Sequence, residues 1–293
     1  MDPDQPMLPD LNGAAGSPWC QRWTERHSTW RHLHDGGFDA DRYRVERVPD
    51  AVAAAYVRRH HYSGQPVAAL QSYGLLEGTA RHLVGVAVLS VPVSRAVLAH
   101  AFPTLEPYRE SADLGRLVLA DAVPANGESW MLAQVFRQAY LTGLRGIVSF
   151  ADPVPRRTLT GELILPGHVG ACYQALANSR YTGRGTPRTL LLLPDGTVLN
   201  DRAVQKIRTQ EPGHRYAEAR LIAAGAHPRR PDQDPHTWLA HALLAAGVRR
   251  LRHHGPHRYC FPLGRSRERD RLPLGYPVVD PRPKRPDTDR RAP

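Results

Sequence analysis

Cysteine, methionine and lysine are scarce in this chain of 293 residues. The three cysteines, Cys20, Cys172 and Cys260, lie far apart, which excludes a disulfide framework and a zinc ribbon. Neither HExxH nor CxxC occurs, so a metal site would have to be assembled from distant segments. No run of about 18 apolar residues is present, which excludes a membrane-spanning helix. The opening residues MDPDQPMLPD are acidic and proline-rich, unlike a secretory leader. A reducing, cytoplasmic setting follows as the expectation. Only Lys206 and Lys284 among the 39 cations are lysines, a bias that reads as a GC-rich coding signature.

Charge is abundant and unevenly placed. Residues 1–201 hold 19 basic and 19 acidic side chains, whereas residues 202–293 hold 20 and 9. The whole net charge of +11 therefore belongs to the C-terminal third. A surplus confined to one segment points to a polyanion, nucleic acid first. The dense run RRLRHHGPHR at 249–258, extended by Lys206, Arg208, Arg215, Arg229 and Arg230, is the candidate phosphate-contacting surface. A merely solvated face would carry more balanced charge.

Three parts are expected along the chain: a Trp-containing N-terminal arm at 1–37, a mixed α/β domain at 38–264, and a disordered Pro/Arg-rich tail at 265–293. In the arm, Trp19 and Trp23 suit one short amphipathic helix packed on the body, with base stacking as the alternative. Strands are expected at 43–48, 83–93, 113–119, 146–151 and 258–263, and a hairpin around Pro194-Asp195-Gly196. Helices are expected at 50–59, capped by Asp50, and at 129–141, 170–177 and 236–246.

Four constellations carry candidate chemistry. The loop 120–128 feeds a helix at Ser129, where unpaired N–H groups face a pyrophosphate well, and Arg116 on the preceding strand could add a cation. A plain N-cap and a surface arginine explain the same residues. Asp152 ends the apolar strand SFADP, where a carboxylate can act as a base or hold a metal, or simply cap a turn. Gly167-His168-Val169-Gly170 opens a helix bearing Tyr173, a proton-transfer group or a buried core tyrosine. The run Arg58-Arg59-His60-His61-Tyr62 ends the first helix, where cations also complement the helix dipole.

Taken in order, these landmarks resemble the Mom family of bacteriophage DNA-modification proteins. They are His61-Tyr62-Ser63, Leu114-Gly115-Arg116-Leu117, Asn126 and Ser129, SFADP at 149–153, and Gly167-His168-Val169-Gly170 with Tyr173-Gln174-Ala175. Tyr181-Thr182-Gly183, Lys206-Ile207-Arg208 and Gly255-Pro256-His257-Arg258-Tyr259 complete the set. The resemblance spans about 45–264, and the segment between Asp152 and Gly167 is longer than expected.

The resemblance implies a GNAT-like mixed, mostly antiparallel sheet flanked by helices. It implies acetyl-CoA as cofactor, with iron also associated, and conversion of adenine in double-stranded DNA to N6-(carbamoylmethyl)adenine, which hides phage DNA from restriction. His61, Tyr62, Asp152 and Tyr173 then match the catalytic centre, Tyr62 and Asp152 being the candidate metal ligands. Arg116, Asn126 and Ser129 match the acyl-CoA contacts. Lys206, Arg208, Arg249, Arg250, Arg252 and Arg258 are the expected DNA contacts. The protein is expected to be phage- or prophage-encoded in a bacterial cytoplasm, with its oligomeric state, a dimer included, left open. A conventional GNAT N-acetyltransferase and a non-catalytic DNA-binding protein are the alternatives.

Overall fold

The computed structural model describes residues 19–24, 27–32, 37–165 and 167–284. In chain order the elements are β1 (Trp19–Thr24), β2 (His27–His32), β3 (Tyr43–Arg47), α1 (Asp50–His60), β4 (Ala69–Glu77), β5 (His82–Ser90), α2 (Arg95–Ala101), β6 (Ser111–Leu119), α3 (Gly127–Leu141) and β7 (Gly146–Ala151). Then follow β8 (Arg156–Arg157), β9 (Leu163–Leu165), α4 (Ala171–Gln174), β10 (Arg180–Arg184), β11 (Arg188–Leu192), β12 (Val198–Leu199) and α5 (Asp201–Thr209). The last are α6 (His214–Ala223), α7 (Pro235–Ala245), β13 (Arg249–His253), β14 (His257–Pro262) and α8 (Ser266–Arg271).

The chain forms two compact units where one domain over 38–264 was expected. The larger comprises residues up to Ala151 with His168–Gly183 and from His257 onward; the smaller comprises Asp152–Gly167 and Arg184–Pro256. The smaller unit has its own apolar core, in which Val204, Ile207, Leu221, Trp238 and Leu239 from three helices pack together. Two separate sets of apolar faces, each closed on itself, make two units.

In the larger unit seven strands lie in the order β10-β14-β7-β6-β5-β4-β3. Neighbours from β3 to β6 and the pair β14–β7 are antiparallel, while β6 and β7 run parallel. This is the mixed, mostly antiparallel sheet flanked by helices that the resemblance implies. The parallel pairing is short: Ser111, Ala112 and Asp113 meet Gly146, Ile147 and Val148, and there it stops. Beyond Asp113 the two strands share no ladder, so the sheet opens at the end where β6 leads to α3.

Helix α3 buries Met131, Leu132, Val135, Phe136 and Ala139, one stripe at helical spacing, against one sheet face. Helix α1 is alanine-rich, starts with acidic Asp50 and ends in Arg58, Arg59 and His60, matching the helix dipole at both ends. It packs Ala53 and Val57 on Val86, Val88 and Val118 of the other face. Asp50 is not its cap: the cap position is Pro49, and the Asp50 carboxylate accepts a hydrogen bond from Ser72 Oγ at 2.7 Å.

Two further expectations are corrected. Trp19–Thr24 and His27–His32 form an antiparallel hairpin rather than a helix. The tail is ordered as far as Lys284: Val279 N–H donates to Tyr181 O, Gly275 N–H to Ala101 O, and Leu272, Leu274 and Tyr276 pack beside Phe102 and Val148. Spaced apolar residues among the prolines anchor a segment whose composition alone reads as disordered. Residues 1–18 and 285–293, the ends of the expected arm and tail, lie outside the described residues. Among the described residues no helix is long and apolar enough to cross a membrane.

Candidate active site

The opening in the larger sheet is where its chemistry-bearing side chains gather. Pairing between β5 and β6 sets Ser90 opposite Asp113 and Leu89 opposite Leu114, then Val88 opposite Arg116, so Gly115 is the extra residue of a β-bulge. Cross-strand partners share a face, so Asp113 and Arg116 both stand on the side of Ser90 and Val88, the face that α1 covers. The bulge needs glycine: a Cβ at 115 would meet Ser90 Oγ at 2.2 Å and Ser90 Cβ at 3.1 Å.

Arg116 is fixed from two sides. Its Nε donates to Gln65 O at 2.8 Å and its Nη1 to Gly115 O at 2.6 Å. The first bond ties β6 to the segment that leaves α1, which carries His61 and Tyr62. Asp113 receives a hydrogen bond from Ser90 Oγ at 3.3 Å. Burial pushes its carboxyl up to about 7, against the lowering influence of Ser90 and Arg116. Sequence reasoning missed this residue, because an aspartate at the start of a strand reads as a solvated end.

His61 is 5% exposed and ends α1. The Ser63 N–H donates to its Nδ1 at 3.1 Å, and Ser63 Oγ lies 2.8 Å from the same nitrogen. A backbone amide can only donate, so in the neutral ring the proton sits on Nε2. Burial, then the charges of Arg116 and His168, bring the imidazole down to about 3. His61 is therefore a neutral Nε2–H donor at physiological pH. Its ring lies 4.0 Å from that of half-buried Tyr62, centroid to centroid.

Tyr173 follows Gly170, whose φ of +77° opens α4. A Cβ at 170 would strike the Tyr173 and Tyr259 rings at 2.7 and 2.9 Å. Tyr173 meets Tyr259 and Phe261 edge-on, at 5.6 and 5.9 Å, and His168 at 6.3 Å. Its face is thus taken up by the core, which argues against stacking on a base and leaves the hydroxyl as its chemical group. Burial raises that hydroxyl well above the usual phenol range, against a lowering influence from Ser149. Arg116 interacts electrostatically with Tyr62, Asp113 and Tyr173. The structure thus brings His61, Tyr62 and Tyr173 near Arg116, with the unexpected Asp113 beside it.

The loop from β6 into α3 turns at Asn126, whose φ of +73° places it in the left-handed region. Asn126 makes no side-chain capping bond, and Ser129 Oγ donates to Asn126 O at 3.1 Å. Ser129 is thus the third residue of the helix rather than its cap. The Asn126 side chain leaves this helix end uncapped, and a helix N-terminus can face a phosphate.

Asp152 is the first residue of the smaller unit. Its Oδ1 accepts from Val154 N–H at 3.0 Å and from His253 Nε2 at 2.8 Å, and its Oδ2 pairs with Arg156. His253 is 1% exposed, and its Nδ1 accepts from Gly255 N–H at 3.0 Å, which leaves the Nε2 proton for Asp152. Both oxygens are committed within this unit. Among the described residues no three His, Cys, Asp or Glu side chains stand together as a metal site.

The expected DNA contacts fall in both units. In the smaller unit β13 pairs with β11 and presents exposed Arg249, Arg250 and Arg252, while α5 carries exposed Arg208 and half-buried Lys206. Arg249 Nη2 also donates to Arg157 O at 2.7 Å. Arg258 departs from the expectation. In the larger unit its Nε and Nη2 donate to Thr182 Oγ1 and O at 3.0 and 2.7 Å, and its guanidinium sits 3.2 Å from the Tyr276 ring centroid. Folding consumes those donors.

A comparison with protein families matches the Mom protein family over residues 42–277. The chain belongs to the Mom protein family. Membership makes it a DNA-modification protein of the phage type that its sequence resembles. Among solved structures, it is similar to a tandem GNAT protein from the clavulanic acid biosynthesis pathway, without AcCoA. That likeness has 9% identity and a TM-score of 0.38 over 76% of this chain and 99% of the other. Comparison with curated proteins gives no match. The gathered residues of the Mom chain, His61 to Tyr173, all lie inside the matched span.

Proposed function

We propose that this Mom-family protein is a transferase that converts adenine in double-stranded DNA to N6-(carbamoylmethyl)adenine and so shields phage DNA from restriction. The observation that carries the reading lies within the family-matched span. The parallel strands β6 and β7 part beyond Asp113, and His61, Tyr62, Arg116 and Tyr173 gather there.

Acetyl-CoA is the proposed cofactor, a source of two carbons as a thioester; the product is a two-carbon amide rather than an acetyl group, so its nitrogen has to come from a second donor. Arg116, with Nε and Nη1 held by carbonyls, keeps Nη2 for an anion, and the α3 terminus at Asn126 and Ser129 offers backbone donors to a pyrophosphate. The exocyclic amine of adenine is a weak nucleophile, because its lone pair is delocalised into the ring. It also lies inside the stacked duplex, so the base has to be extruded to react. Half-buried Tyr62 is the aromatic group placed to stack on it, and His61 Nε2–H and the Tyr173 hydroxyl are neutral hydrogen-bond donors for the reacting groups. The exposed arginines of β13 and α5 are the proposed phosphate contacts.

Nucleoside mass spectrometry of DNA from cells expressing the protein tests the reading. Adenine heavier by one carbamoylmethyl group, absent in Arg116→Ala, is the expected result. Acetylated small amines or proteins with unmodified DNA would establish a conventional N-acetyltransferase. DNA binding that persists with no modified product would establish a binding protein.

A further inference from the structure

The transfer requires a base, because the amine has to shed a proton as its new bond to carbon forms. Asp152, the carboxylate that the sequence singles out, is poorly placed for that task. Arg156 and His253 hold it in its own unit, and the Val154 amide takes up part of the remaining lone-pair capacity.

We propose that Asp113 is the catalytic carboxylate that accepts this proton, with Ser90 and Arg116 setting how readily it does so. The inference rests on the proposed adenine-modifying reading and names the base for it. Asp113 stands at the last rung of the parallel β6–β7 pairing, where the sheet opens. It is partly exposed, and among the described residues the hydrogen bond to its carboxylate comes from Ser90, at 3.3 Å. The bulge at Gly115 turns it to the same face as Arg116. Arg116 and Tyr173 are charged and titratable groups that interact with it electrostatically. Its cross-strand partners, Ser90 on β5 and Val148 on β7, carry no titrating group, while α1, which covers this face, bears Tyr56, Arg58, Arg59 and His60. In the step itself the amine lone pair forms the bond to the carbon of an activated two-carbon donor, whose bond to its leaving group breaks with that electron pair departing on the group, while the amine N–H bond breaks, its proton forms an O–H bond on Asp113 and the N–H pair stays on nitrogen as the new lone pair. A carboxyl near neutrality is matched to that exchange, since it is available as a base yet returns the proton readily.

The experiment follows initial rates of adenine modification in DNA by nucleoside mass spectrometry. It uses extracts of cells expressing the full chain, buffered across the neutral range. The wild-type rate is expected to rise with pH around a midpoint of about 7. Asp113→Asn is expected to lose about a hundredfold or more and to lose that rise, while Asp113→Glu keeps it. Ser90→Ala removes the bond that favours the anion and moves the midpoint to higher pH, a shift that a purely structural role would not produce. An Asp113→Asn protein with wild-type rate and profile overturns the proposal. So does a rise that disappears in Asp152→Asn but persists in Asp113→Asn. Should Asp113→Asn fail to fold, an unmoved midpoint in Ser90→Ala overturns it instead. If the wild-type extract leaves adenine unmodified, the functional reading fails first and the assignment falls with it.

Discussion

Asp113 and Arg116 point to the same side of one strand although they are three residues apart. Strand alternation would put them on opposite faces, and the bulge residue Gly115 restores the match. The one-residue insertion thereby places a carboxylate and a guanidinium beneath α1. Gly115→Ala brings a Cβ within 2.2 Å of Ser90 Oγ. Relief requires Ser90 to swing away, and that breaks its bond to Asp113. We expect a loss of about 1–3 kcal/mol in stability and a larger proportional loss of modification. Thermal melting beside nucleoside analysis checks this, and a variant with wild-type values for both would refute it.

Asp152 holds the smaller unit together irrespective of any chemical role. Removing its carboxylate leaves Arg156 and the buried His253 without their shared partner, in a setting where Arg156 Nε already lacks one among the described residues. Asp152→Ala is expected to cost about 1–3 kcal/mol. Asp152→Asn, which keeps an acceptor for His253, should cost less. Denaturant unfolding of the two variants decides the point: equal and negligible losses would mean that the cluster contributes nothing.

The arginines of the basic third are not equivalent. Arg250 and Arg252 are exposed on β13, whereas Arg258 is stacked on Tyr276 and bonded to Thr182. Arg250→Ala and Arg252→Ala should each reduce the slope of log affinity against log salt by about 0.9, with little change in melting temperature. Arg258→Ala should show the reverse pattern, an intact slope and a stability loss of about 1–2 kcal/mol. Salt titrations of DNA binding with each variant separate the two classes.

What could be read in advance follows from how local each signal is. The strands around Val45, Val86 and Val148 and the helix through Met131 and Phe136 announce themselves as apolar runs of the right period. Strand β4 escaped notice because Gln71, Ser72 and Gly74 interrupt its apolar run, although its paired neighbours bury it. The ordered landmarks singled out His61, Tyr62 and Tyr173 as catalytic and Arg116 as an acyl-CoA contact, and the structure brings these four near one another. Asp113 was not legible, since its role depends on a bulge and on the parting of β6 from β7, both consequences of pairing between distant segments. The occupation of Asp152 by His253, 101 residues away, was hidden for the same reason.

Two ionisable groups in the site titrate in opposite senses, and their effects on stability should cancel. His61 falls from its ordinary 6.5 to about 3 on folding, so between those values the unfolded chain binds a proton that the folded one refuses. Its contribution is present above 6.5 and is lost as the pH falls toward 3. Asp113 rises from 3.8 to about 7, so the folded state keeps a proton that the unfolded chain releases. Its contribution is full below 3.8 and is lost as the pH rises through 7. Across the shared window from 3.8 to 6.5 each slope approaches about 1.4 kcal/mol per pH unit, with opposite sign. In the wild type the pair should therefore leave little net dependence there. Asp113→Asn unmasks His61, and stability should then drop as the solution is acidified. His61→Asn unmasks Asp113, and stability should then increase on acidification. Urea unfolding of the three proteins through that window measures the slopes directly. Parallel curves for all three would show that the two groups do not titrate in opposition.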